Sequence, residues 1–281
     1  MDNKETLSET LSRIKLYLLD MDGTLYLGDR LFPFTKDLLR EIRRTGGQYL
    51  FVTNNSSRSV ADYVKRLAGL GIGSVPGDFL TSSQATAYYL HAHQEGKRLY
   101  VCGTESFKAE LSREGFSIVT DPARAECVVM GFDTELTFQK LRDVSWLLTV
   151  RPEIPYIAAN GDLVCPTEFG SVPDCGSVCG MIKTATGRVP YVVGKPAPLM
   201  PELAMKRLGR SKEETAVVGD RIYTDVKSSL NAGTTGILVL SGETTREILD
   251  ASEDKPDLVL RDCGEIVDAL RAMPAAPAPA G

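Results

Sequence analysis

The sequence predicts an α/β protein in which a Rossmann-like core with a parallel sheet carries an inserted α/β cap domain. Short apolar runs alternate with segments of helical periodicity near both ends of the chain. This alternation is typical of parallel sheets covered by helices. The middle of the chain has an alternation of its own, and 281 residues exceed the usual size of one domain.

The N-terminal part predicts two strands, each followed by a helix. Residues 14–19, IKLYLL, form a nearly continuous apolar run, as expected of a strand that is buried on both faces. A helix is predicted within residues 33–47, where the closing glycine pair suits a helix C-terminus. Residues 48–53, QYLFVT, predict the next strand, and residues 58–70 predict a helix that ends before Gly71.

The C-terminal part repeats this pattern. YVVG at residues 191–194 precedes a predicted helix at about 199–208, and TAVVGD at residues 215–220 precedes a helix that reaches Asn231. GILVL and PDLVL predict two more strands, and a last helix follows them. We therefore assign both ends of the chain to one layered core.

The middle of the chain predicts the inserted domain. RLYVC, ECVVMG and PYIAA are its candidate strands, with helices between them, and glycine- and proline-containing loops flank it. The predicted division is a core of residues 1–79 and 187–271, a cap domain of residues 80–186 and a Pro/Ala-rich solvated tail of residues 272–281.

Composition limits the possible functions. A formal net charge of −5 argues against nucleic acid as a partner, because binding to its backbone needs a basic surface. No apolar run approaches the roughly 20 residues that span a bilayer, and the polar N-terminus has no apolar signal segment. We therefore expect a cytoplasmic protein that does not bind membranes.

Six cysteines are scattered along the chain, which suits free thiols in a reducing compartment. Cys175 and Cys179 could belong to a zinc site. No second cysteine pair has the spacing of zinc ligands, so a packing role is the favoured interpretation.

The first motif that carries chemistry is DMDGTLY. Asp20, Asp22 and Gly23 directly follow a predicted buried strand, at the edge of the sheet where α/β folds bind ligands. Two carboxylates at this spacing can face one metal ion or phosphate, and the glycine lets the backbone approach closely. An ordinary turn is the alternative, since Asp and Gly are common in turns.

Two further motifs offer donors to an anion. Thr53, Asn54 and Asn55 lie between a strand and a helix, where hydroxyl and backbone N–H groups converge. A simple helix N-cap would give the same pattern. Lys195 follows another apolar run and can supply a positive charge to phosphate. The alternative is a solvated surface lysine.

The fourth motif is VVGDRIYTD, in which Asp220 ends a strand and Asp225 lies five positions further on. Acidic residues near a helix start are common without any function. The four motifs nevertheless follow four candidate strands in order, which makes coincidence a poor explanation.

Together, DMDGTLY, TNN, GKP and GDRIYTD resemble the four motifs of the haloacid dehalogenase superfamily, in the same order. The insertion, followed by PTEFGSVPDCGSVCGMI and VGKPAP, is similar to the class IIA cap branch. That branch includes p-nitrophenylphosphatases, nucleotide, phosphoglycolate and sugar phosphatases, and pyridoxal phosphatase. The resemblance implies a Mg²⁺-dependent phosphatase that hydrolyses small phosphomonoesters through an aspartyl-phosphate.

The resemblance also implies a role for each motif residue. Asp20 would attack phosphorus, and Asp22 would protonate the leaving oxygen and then activate water. Mg²⁺ would be held by the Asp20 side chain, the Asp22 backbone carbonyl and the Asp220 carboxylate. Asp225 would orient Lys195 or a water molecule. The residues expected to bind the phosphoryl group are Gly23, Thr53, Asn54, Asn55 and Lys195.

The charge of these residues independently favours a cation. Four ionised aspartates and one lysine leave −3 where a phosphate dianion must bind. At about 4 Å and an effective dielectric constant near 20, each unit pair contributes about 4 kcal/mol. Oxygen ligands beside a phosphate favour Mg²⁺ over zinc.

The expected partner is therefore a small phosphorylated metabolite, and caps of this branch often mediate homo-oligomers. A catalytically silent metabolite-binding or regulatory module on the same fold is the alternative function. Such a module should have lost a motif aspartate, yet all four are present. A dehalogenase would not need a general acid at Asp22.

Substrate choice is expected to depend on the cap. In class IIA relatives the segment that corresponds to residues 168–179 closes on the leaving group, which makes Asp174 and Cys175 candidate specificity residues. The charge of Asp174 would disfavour acidic leaving groups such as glycolate. The alternative is that Asp174 caps a helix that starts near Ser177, or simply stays in solvent.

Overall fold

The computed structural model describes residues 6–167 and 169–277. Glu168 of the predicted specificity segment and residues 278–281 of the predicted tail lie outside the described residues. The chain forms two compact units. The first contains the described residues of Met1–Val52, Leu67–Phe79 and Pro201–Gly281, and the second contains those of Thr53–Arg66 and Leu80–Met200.

The α-helices are α1 (Leu7–Arg13), α2 (Thr35–Arg44), α3 (Val60–Gly69), α4 (Ser82–His93), α5 (Glu105–Arg113), α6 (Phe138–Val150), α7 (Cys175–Thr186), α8 (Leu199–Leu208), α9 (Lys227–Ala232), α10 (Arg246–Ala251) and α11 (Gly264–Arg271). Short 3₁₀ turns cover Pro76–Asp78 and Pro122–Arg124, and a π-helical turn covers Ile222–Val226.

The strands are β1 (Leu16–Leu19), β2 (Tyr26–Leu27), β3 (Arg30–Leu31), β4 (Gln48–Thr53), β5 (Phe79–Thr81), β6 (Leu99–Cys102), β7 (Cys127–Met130), β8 (Tyr156–Ala158), β9 (Val164–Thr167), β10 (Gly170–Pro173), β11 (Tyr191–Val192), β12 (Thr215–Gly219), β13 (Thr235–Val239) and β14 (Leu258–Leu260).

A six-stranded sheet forms the centre of the first unit, in the order β14-β13-β12-β1-β4-β5. The pairs from β14 through β4 are parallel. Every residue of β1, β12 and β13 is buried, as expected for apolar strands covered on both faces. The predicted parallel-sheet α/β class is confirmed.

The second unit has a four-stranded parallel sheet in the order β11-β8-β7-β6. The candidate strands RLYVC, ECVVMG and PYIAA correspond to β6, β7 and β8. The assignment of YVVG to the sheet of the core was wrong, because Tyr191 and Val192 pair in parallel with Ile157 and Ala158 of β8. Apolar residues on β11 alone cannot show which sheet they join.

Several elements were not predicted from the sequence. They are the helices α1 and α10, the antiparallel pair β2 and β3, strand β5 and the antiparallel hairpin β9–β10. A signal for α1 was present: Thr6 and Glu9 form a capping box, in which each side chain bonds to the other residue's backbone N–H group.

Each unit packs its own apolar cluster. In the second unit, α6 and α7 contribute Leu147, Leu148 and Val178 to a cluster that also contains Val128 and Met130 of β7. In the first unit, a smaller cluster of buried residues contains Ile222, Val226, Leu238 and Leu249. These clusters give the loops at the strand ends a rigid support.

The described part of the tail is not wholly separate from the fold. Residues 274–277 are exposed, but the backbone N–H group of Ala276 donates to the carbonyl oxygen of Arg44 at 2.9 Å. Among the helices described, none has both the length and the apolar character needed to cross a bilayer.

Candidate active site

Parallel pairing brings the ends of β1 and β12 together. Leu19 lies opposite Val218, and the backbone N–H group of Asp20 donates to the Val218 carbonyl oxygen at 2.9 Å. Asp20 follows β1 directly and Asp220 follows β12 directly. Two residues that are 200 positions apart in sequence therefore lie at the same carboxyl edge of the sheet.

Asp20, Asp220 and Asp225 form a cluster of carboxylates in the first unit. Each offers an oxygen atom within 4.8 Å of the oxygen atoms offered by the other two. Asp20 is half-buried, whereas Asp220 and Asp225 are 2% and 1% exposed. At this separation and an effective dielectric constant near 20, each charged pair repels by about 3 to 4 kcal/mol. Such a cluster favours a bound cation.

The loop after β13 holds Asp220 from one side. The backbone N–H group of Glu243 donates to Asp220 Oδ2 at 2.6 Å, and that of Thr244 donates to the Asp220 carbonyl oxygen at 3.2 Å. A Cβ atom at Gly242 would lie 2.0 Å from Asp220 Oδ2, and one at Gly23 would lie 2.5 Å from the same atom. Both glycines are therefore needed for the backbone to approach this carboxylate.

A π-helical turn, Ile222–Val226, carries Asp225. Asp225 Oδ2 accepts from the backbone N–H group of Arg221 at 3.1 Å, and the Arg221 side chain pairs with Glu243 at 2.8 Å. A Cβ atom at Gly219 would lie 2.2 Å from Asp225 Cγ. The strand end and this turn thus fix the carboxylate from two sides.

Asp22 differs from the other three motif aspartates because it is exposed. It precedes Gly23, whose φ of +84° is a left-handed conformation that glycine adopts without strain. The Gly23 N–H group donates to the Tyr26 carbonyl oxygen at 2.8 Å, and Ser241 Oγ donates to the Gly23 carbonyl oxygen at 2.7 Å. This turn leaves the Asp22 carboxylate open to solvent and to proton exchange.

The predicted phosphate-binding residues other than Gly23 lie in the second unit. The Thr53 hydroxyl accepts from the Asn55 backbone N–H group at 3.1 Å, and Ser82 Oγ donates to the Asn54 carbonyl oxygen at 2.7 Å. Thr53 and Asn54 are each 7% exposed. The turn after β4 is therefore held by side chains on both sides of it.

Lys195 is buried, at 3% exposure, so the alternative of a solvated surface lysine is wrong. The Asn54 side-chain amide makes two hydrogen bonds to the Lys195 backbone. Oδ1 accepts from the Lys195 N–H group, and Nδ2 donates to the Lys195 carbonyl oxygen, both at 2.8 Å. A Cβ atom at Gly194 would lie 2.6 Å from Asn54 Oδ1. The TNN and GKP motifs are thus joined directly.

Asp174 is 4% exposed and is the N-cap residue of α7, where it accepts from the Cys175 backbone N–H group. The capping interpretation is confirmed, although the helix begins at Cys175 rather than near Ser177. Cys175 is fully buried, and its thiol lies 4.0 Å from that of Cys179.

The thiols have the character of packed residues. Burial raises the pKa of Cys102 and of Cys127 to about 12, so both are protonated at neutral pH. A hydrogen bond to Cys179 and burial raise the pKa of Cys175. These three thiols are therefore poor nucleophiles.

Sequence reasoning missed several residues that support the motifs. Glu243 bonds to Asp220, and Gly242 leaves room for the Asp220 carboxylate. In the second unit, Asp162 accepts from Asn54, and Asn160 donates to Asp174. The only signal for them was their position: SGE and NGD each follow a strand closely. Position alone does not tell which strand end a loop will contact.

Comparison with known families agrees with this arrangement. Residues 17–117 match the model of the haloacid dehalogenase-like hydrolases, and residues 192–266 match a second hydrolase model of the same kind. The chain is 34% identical over 242 residues to the 5'-nucleotidase YutF of Bacillus subtilis, a match that covers 86% of this chain and 93% of that protein.

Solved structures agree as well. A 4-nitrophenylphosphatase from Thermotoga maritima has a TM-score of 0.87 and 39% identity, covering 93% of this chain and 99% of that one. A glycerol phosphate phosphatase from Mycobacterium tuberculosis, solved with magnesium, has a TM-score of 0.84 and 29% identity, covering 96% and 82%.

The fold and the carboxylate cluster define a haloacid dehalogenase-type hydrolase, and the chain belongs to this family. Its relatives are class IIA-like phosphatases. The predicted family and the predicted enzyme class, a phosphoric monoester hydrolase, are confirmed.

Proposed function

We propose that this chain hydrolyses phosphomonoesters of small neutral alcohols, with Asp20 as the nucleophile. The observation that carries the proposal is the cluster of Asp20, Asp220 and Asp225 at the carboxyl edge of a parallel sheet. Asp20 is the half-buried member, whereas the other two carboxylates are almost fully buried. It is therefore the member most accessible to a substrate phosphorus atom.

In the first step, a carboxylate oxygen of Asp20 forms a bond to phosphorus while the bond from phosphorus to the alcohol oxygen breaks. Asp22 donates its proton to that oxygen, so that a neutral alcohol leaves. The exposure of Asp22 supports this role, because a residue open to solvent can regain a proton after each turnover.

In the second step, Asp22 accepts a proton from a water molecule whose oxygen attacks phosphorus. The bond between Asp20 and phosphorus then breaks, which releases inorganic phosphate and restores both carboxyl groups. One residue thus acts as acid and then as base, as microscopic reversibility allows.

Lys195 and the turn at Thr53 are proposed to bind the phosphoryl oxygens. The support for this is that Asn54 bonds to both backbone groups of Lys195, which fixes the lysine beside the turn. A buried ammonium group is a stronger partner for phosphate than a solvated one, because the local dielectric constant is lower.

The residues in the first unit fit a magnesium ion. The donor set consists of oxygen atoms only, from Asp20 and Asp220, with Asp225 beside them. The backbone N–H group of Glu243 orients Asp220, which is the kind of support that ligating carboxylates usually have. When bound, Mg²⁺ would neutralise part of the charge of the carboxylates and of the phosphate.

Chelation tests the metal. Activity on p-nitrophenyl phosphate should disappear with EDTA and return with Mg²⁺ better than with Ca²⁺, because Ca²⁺ prefers a larger and looser set of ligands. Beryllium fluoride with Mg²⁺ should inhibit as a phosphoryl mimic on Asp20. Full activity after exhaustive chelation would contradict the proposed cofactor.

A substrate panel tests the proposed alcohol. The relatives act, by name, on nucleotides, nitrophenyl phosphate and glycerol phosphate, whose leaving groups carry no carboxylate. We expect nucleoside monophosphates, sugar phosphates or glycerol phosphate to give a higher kcat/KM than phosphoglycolate. A preference for phosphoglycolate would contradict the proposal, and lack of turnover on the whole panel with Mg²⁺ would favour the silent module.

A cytoplasmic location is also proposed. All six cysteines are free thiols, which supports a reducing compartment such as the cytoplasm.

Pairing of two copies of the chain is proposed as well. Exposed apolar residues of the second unit, Phe138, Trp146 and Met181 among them, support pairing through this unit. Light scattering on wild type and on Phe138→Ser would test the pairing.

A further inference from the structure

A chain of buried hydrogen bonds links the TNN motif to the start of α7. Asn54 Nδ2 donates to Asp162 Oδ2 at 2.7 Å, and Asn160 Nδ2 donates to the same oxygen at 2.8 Å. Asn160 Nδ2 also donates to Asp174 Oδ1 at 3.0 Å. The four residues Asn54, Asn160, Asp162 and Asp174, here called the amide–carboxylate network, all lie in the second unit and are 0 to 7% exposed.

The network determines how the Asn54 amide is oriented. With Nδ2 toward Asp162 and the Lys195 carbonyl oxygen, and Oδ1 toward the Lys195 N–H group, every contact pairs a donor with an acceptor. A flipped amide would place its oxygen against a carboxylate and a carbonyl. Asp162 therefore reinforces the orientation that bonds to both backbone groups of Lys195.

The loop that carries Asp162 is itself held by α7. The backbone N–H group of Gly176 donates to the Asp162 carbonyl oxygen at 2.8 Å, and that of Asp174 donates to the Leu163 carbonyl oxygen at 3.0 Å. A Cβ atom at Gly176 would lie 2.4 Å from the Gly161 carbonyl oxygen. The position of Asp162 thus depends on the first turn of this helix.

We infer that Asp162 and Asn160 are positioning residues for Lys195, which they hold in place through Asn54. The inference rests on the proposed function, since it gives a catalytic consequence only if Lys195 binds phosphate. Loss of the Asp162 carboxylate leaves two buried N–H donors without their acceptor. The Asn54 amide then loses one of the three contacts that orient it, which weakens its hold on the Lys195 backbone.

Hydrogen exchange tests the structural half of the inference without any need for activity. In Asp162→Ala, the Lys195 amide should exchange faster by about tenfold or more relative to the Val101 amide of β6, because its acceptor, Asn54 Oδ1, is held by one contact fewer. Asp162→Asn should remain close to wild type, since its side-chain oxygen can still accept both donors. Leu111→Ala, a core variant of α5, is the matched control for lost stability. Unchanged relative exchange at Lys195 in Asp162→Ala would overturn the inference.

Kinetics test the catalytic half. Asp162→Ala should raise the inhibition constant of inorganic phosphate and lower kcat with p-nitrophenyl phosphate, each by about tenfold or more. Its Mg²⁺ activation constant should not change, because the carboxylate cluster belongs to the other unit. Leu111→Ala should not alter the phosphate inhibition constant, kcat or the Mg²⁺ activation constant. Faster exchange with unaltered phosphate inhibition and kcat would show a merely structural network and overturn the positioning role.

An isosteric variant covers the case in which Asp162→Ala does not fold. Asn160→Asp keeps the shape but replaces a donor by a carboxylate that faces the carboxylates of Asp162 and Asp174. Its kcat relative to wild type should be low at pH 8 and rise toward pH 6, where a proton can bridge the oxygens. A ratio that does not depend on pH would contradict the inference. An inactive wild type would instead refute the proposed function, and the exchange result would still decide whether Asp162 holds Lys195.

Discussion

Both units bury aspartates, but they use them in opposite ways. In the first unit, the oxygens of Asp20, Asp220 and Asp225 lie within 4.8 Å of one another, so the protein gathers negative charge. In the second unit, Asp162 and Asp174 each accept from side-chain amide donors of Asn54 or Asn160. The first arrangement favours a bound cation, whereas in the second the donors that face the carboxylates come from the chain itself.

The difference distinguishes the aspartates proposed to act in catalysis from those that stabilise the fold. A cluster of repelling carboxylates costs stability and is kept only where it does chemistry, whereas a carboxylate surrounded by donors contributes stability and rigidity. Substitutions should therefore differ in their effects. In the cluster they should remove activity without loss of stability, whereas in the network they should lower stability and reduce activity to a smaller extent.

The largest effect is expected at Asp20. Asp20→Asn should lower turnover of p-nitrophenyl phosphate by about 10⁴-fold or more, because an amide is a poor nucleophile toward phosphorus. Its melting temperature should be equal to that of wild type or higher. The exposed Asp250→Asn on α10 is the control and should keep full activity. Near-normal turnover in Asp20→Asn would contradict a mechanism with a covalent phosphoryl intermediate on Asp20.

Asp22 should come next. Asp22→Asn should lose about 10²- to 10⁴-fold in kcat, which is the usual contribution of a general acid and base. The loss should be greater with glycerol phosphate than with p-nitrophenyl phosphate, since nitrophenolate leaves without a proton more easily. Steady-state rates on the two substrates give the ratio. Equal losses on both would argue against leaving-group protonation by Asp22.

Glu110 shows how a buried carboxylate affects stability when one of its oxygens accepts no hydrogen bond. It is 7% exposed on α5, and its Oε2 atom has no hydrogen-bond partner among the described residues. Burial raises its pKa to about 7, with Arg113 lowering it and Glu114 and Asp62 raising it. Because the folded pKa is above the usual 4.5, the folded state binds more protons between about pH 4.5 and 7, and stability falls as pH rises through that window.

Glu110→Gln should therefore be more stable than wild type at pH 8, by about 1 to 3 kcal/mol, and should lose this advantage near pH 4.5. Urea denaturation at both pH values measures it. Glu105→Gln on the same helix is the control, because Glu105 is exposed and its pKa is lowered by Lys108. A gain for Glu110→Gln that is the same at both pH values would contradict the assignment.

A smaller effect is expected at Asp220. In EDTA, Asp220→Asn should be more stable than wild type by about 1 to 2 kcal/mol, because one of three repelling charges is removed. Addition of Mg²⁺ should stabilise wild type and leave the variant almost unchanged. Thermal melts with and without Mg²⁺ measure both effects. Destabilisation of the variant in EDTA would show that the cluster is not repulsive.

The smallest effect is expected at Asp174. Asn is also a good N-cap residue, so Asp174→Asn should cost only about 0.5 to 1 kcal/mol, mainly through its bond to Asn160. Because the carboxylate is buried, the ratio of kcat/KM for phosphoglycolate to that for p-nitrophenyl phosphate should not change. A ratio that rises in the variant and falls back at high salt would restore the predicted specificity role.

Local patterns along the chain are enough to predict the class of the protein. Apolar runs that end in Asp20, Thr53 and Asp220 predict parallel strands with polar residues at one edge of the sheet. Ligands and ions bind at this edge, because the side chains at strand ends and the backbone N–H groups at helix starts are available there. The periodicity of α2 and the apolar strands β6, β7 and β8 could be read in the same way. These features depend on local pattern, which sequence expresses directly.

Which loops contact one another depends on tertiary packing. Strand β11 joined β8 instead of the six-stranded sheet, Lys195 became buried, and Asp162 bonded to Asn54, 108 positions away. None of these follows from local periodicity, because a short apolar strand or a polar loop has several possible partners of similar chemistry. The choice among them is made by packing and by the need to satisfy every buried donor and acceptor at once.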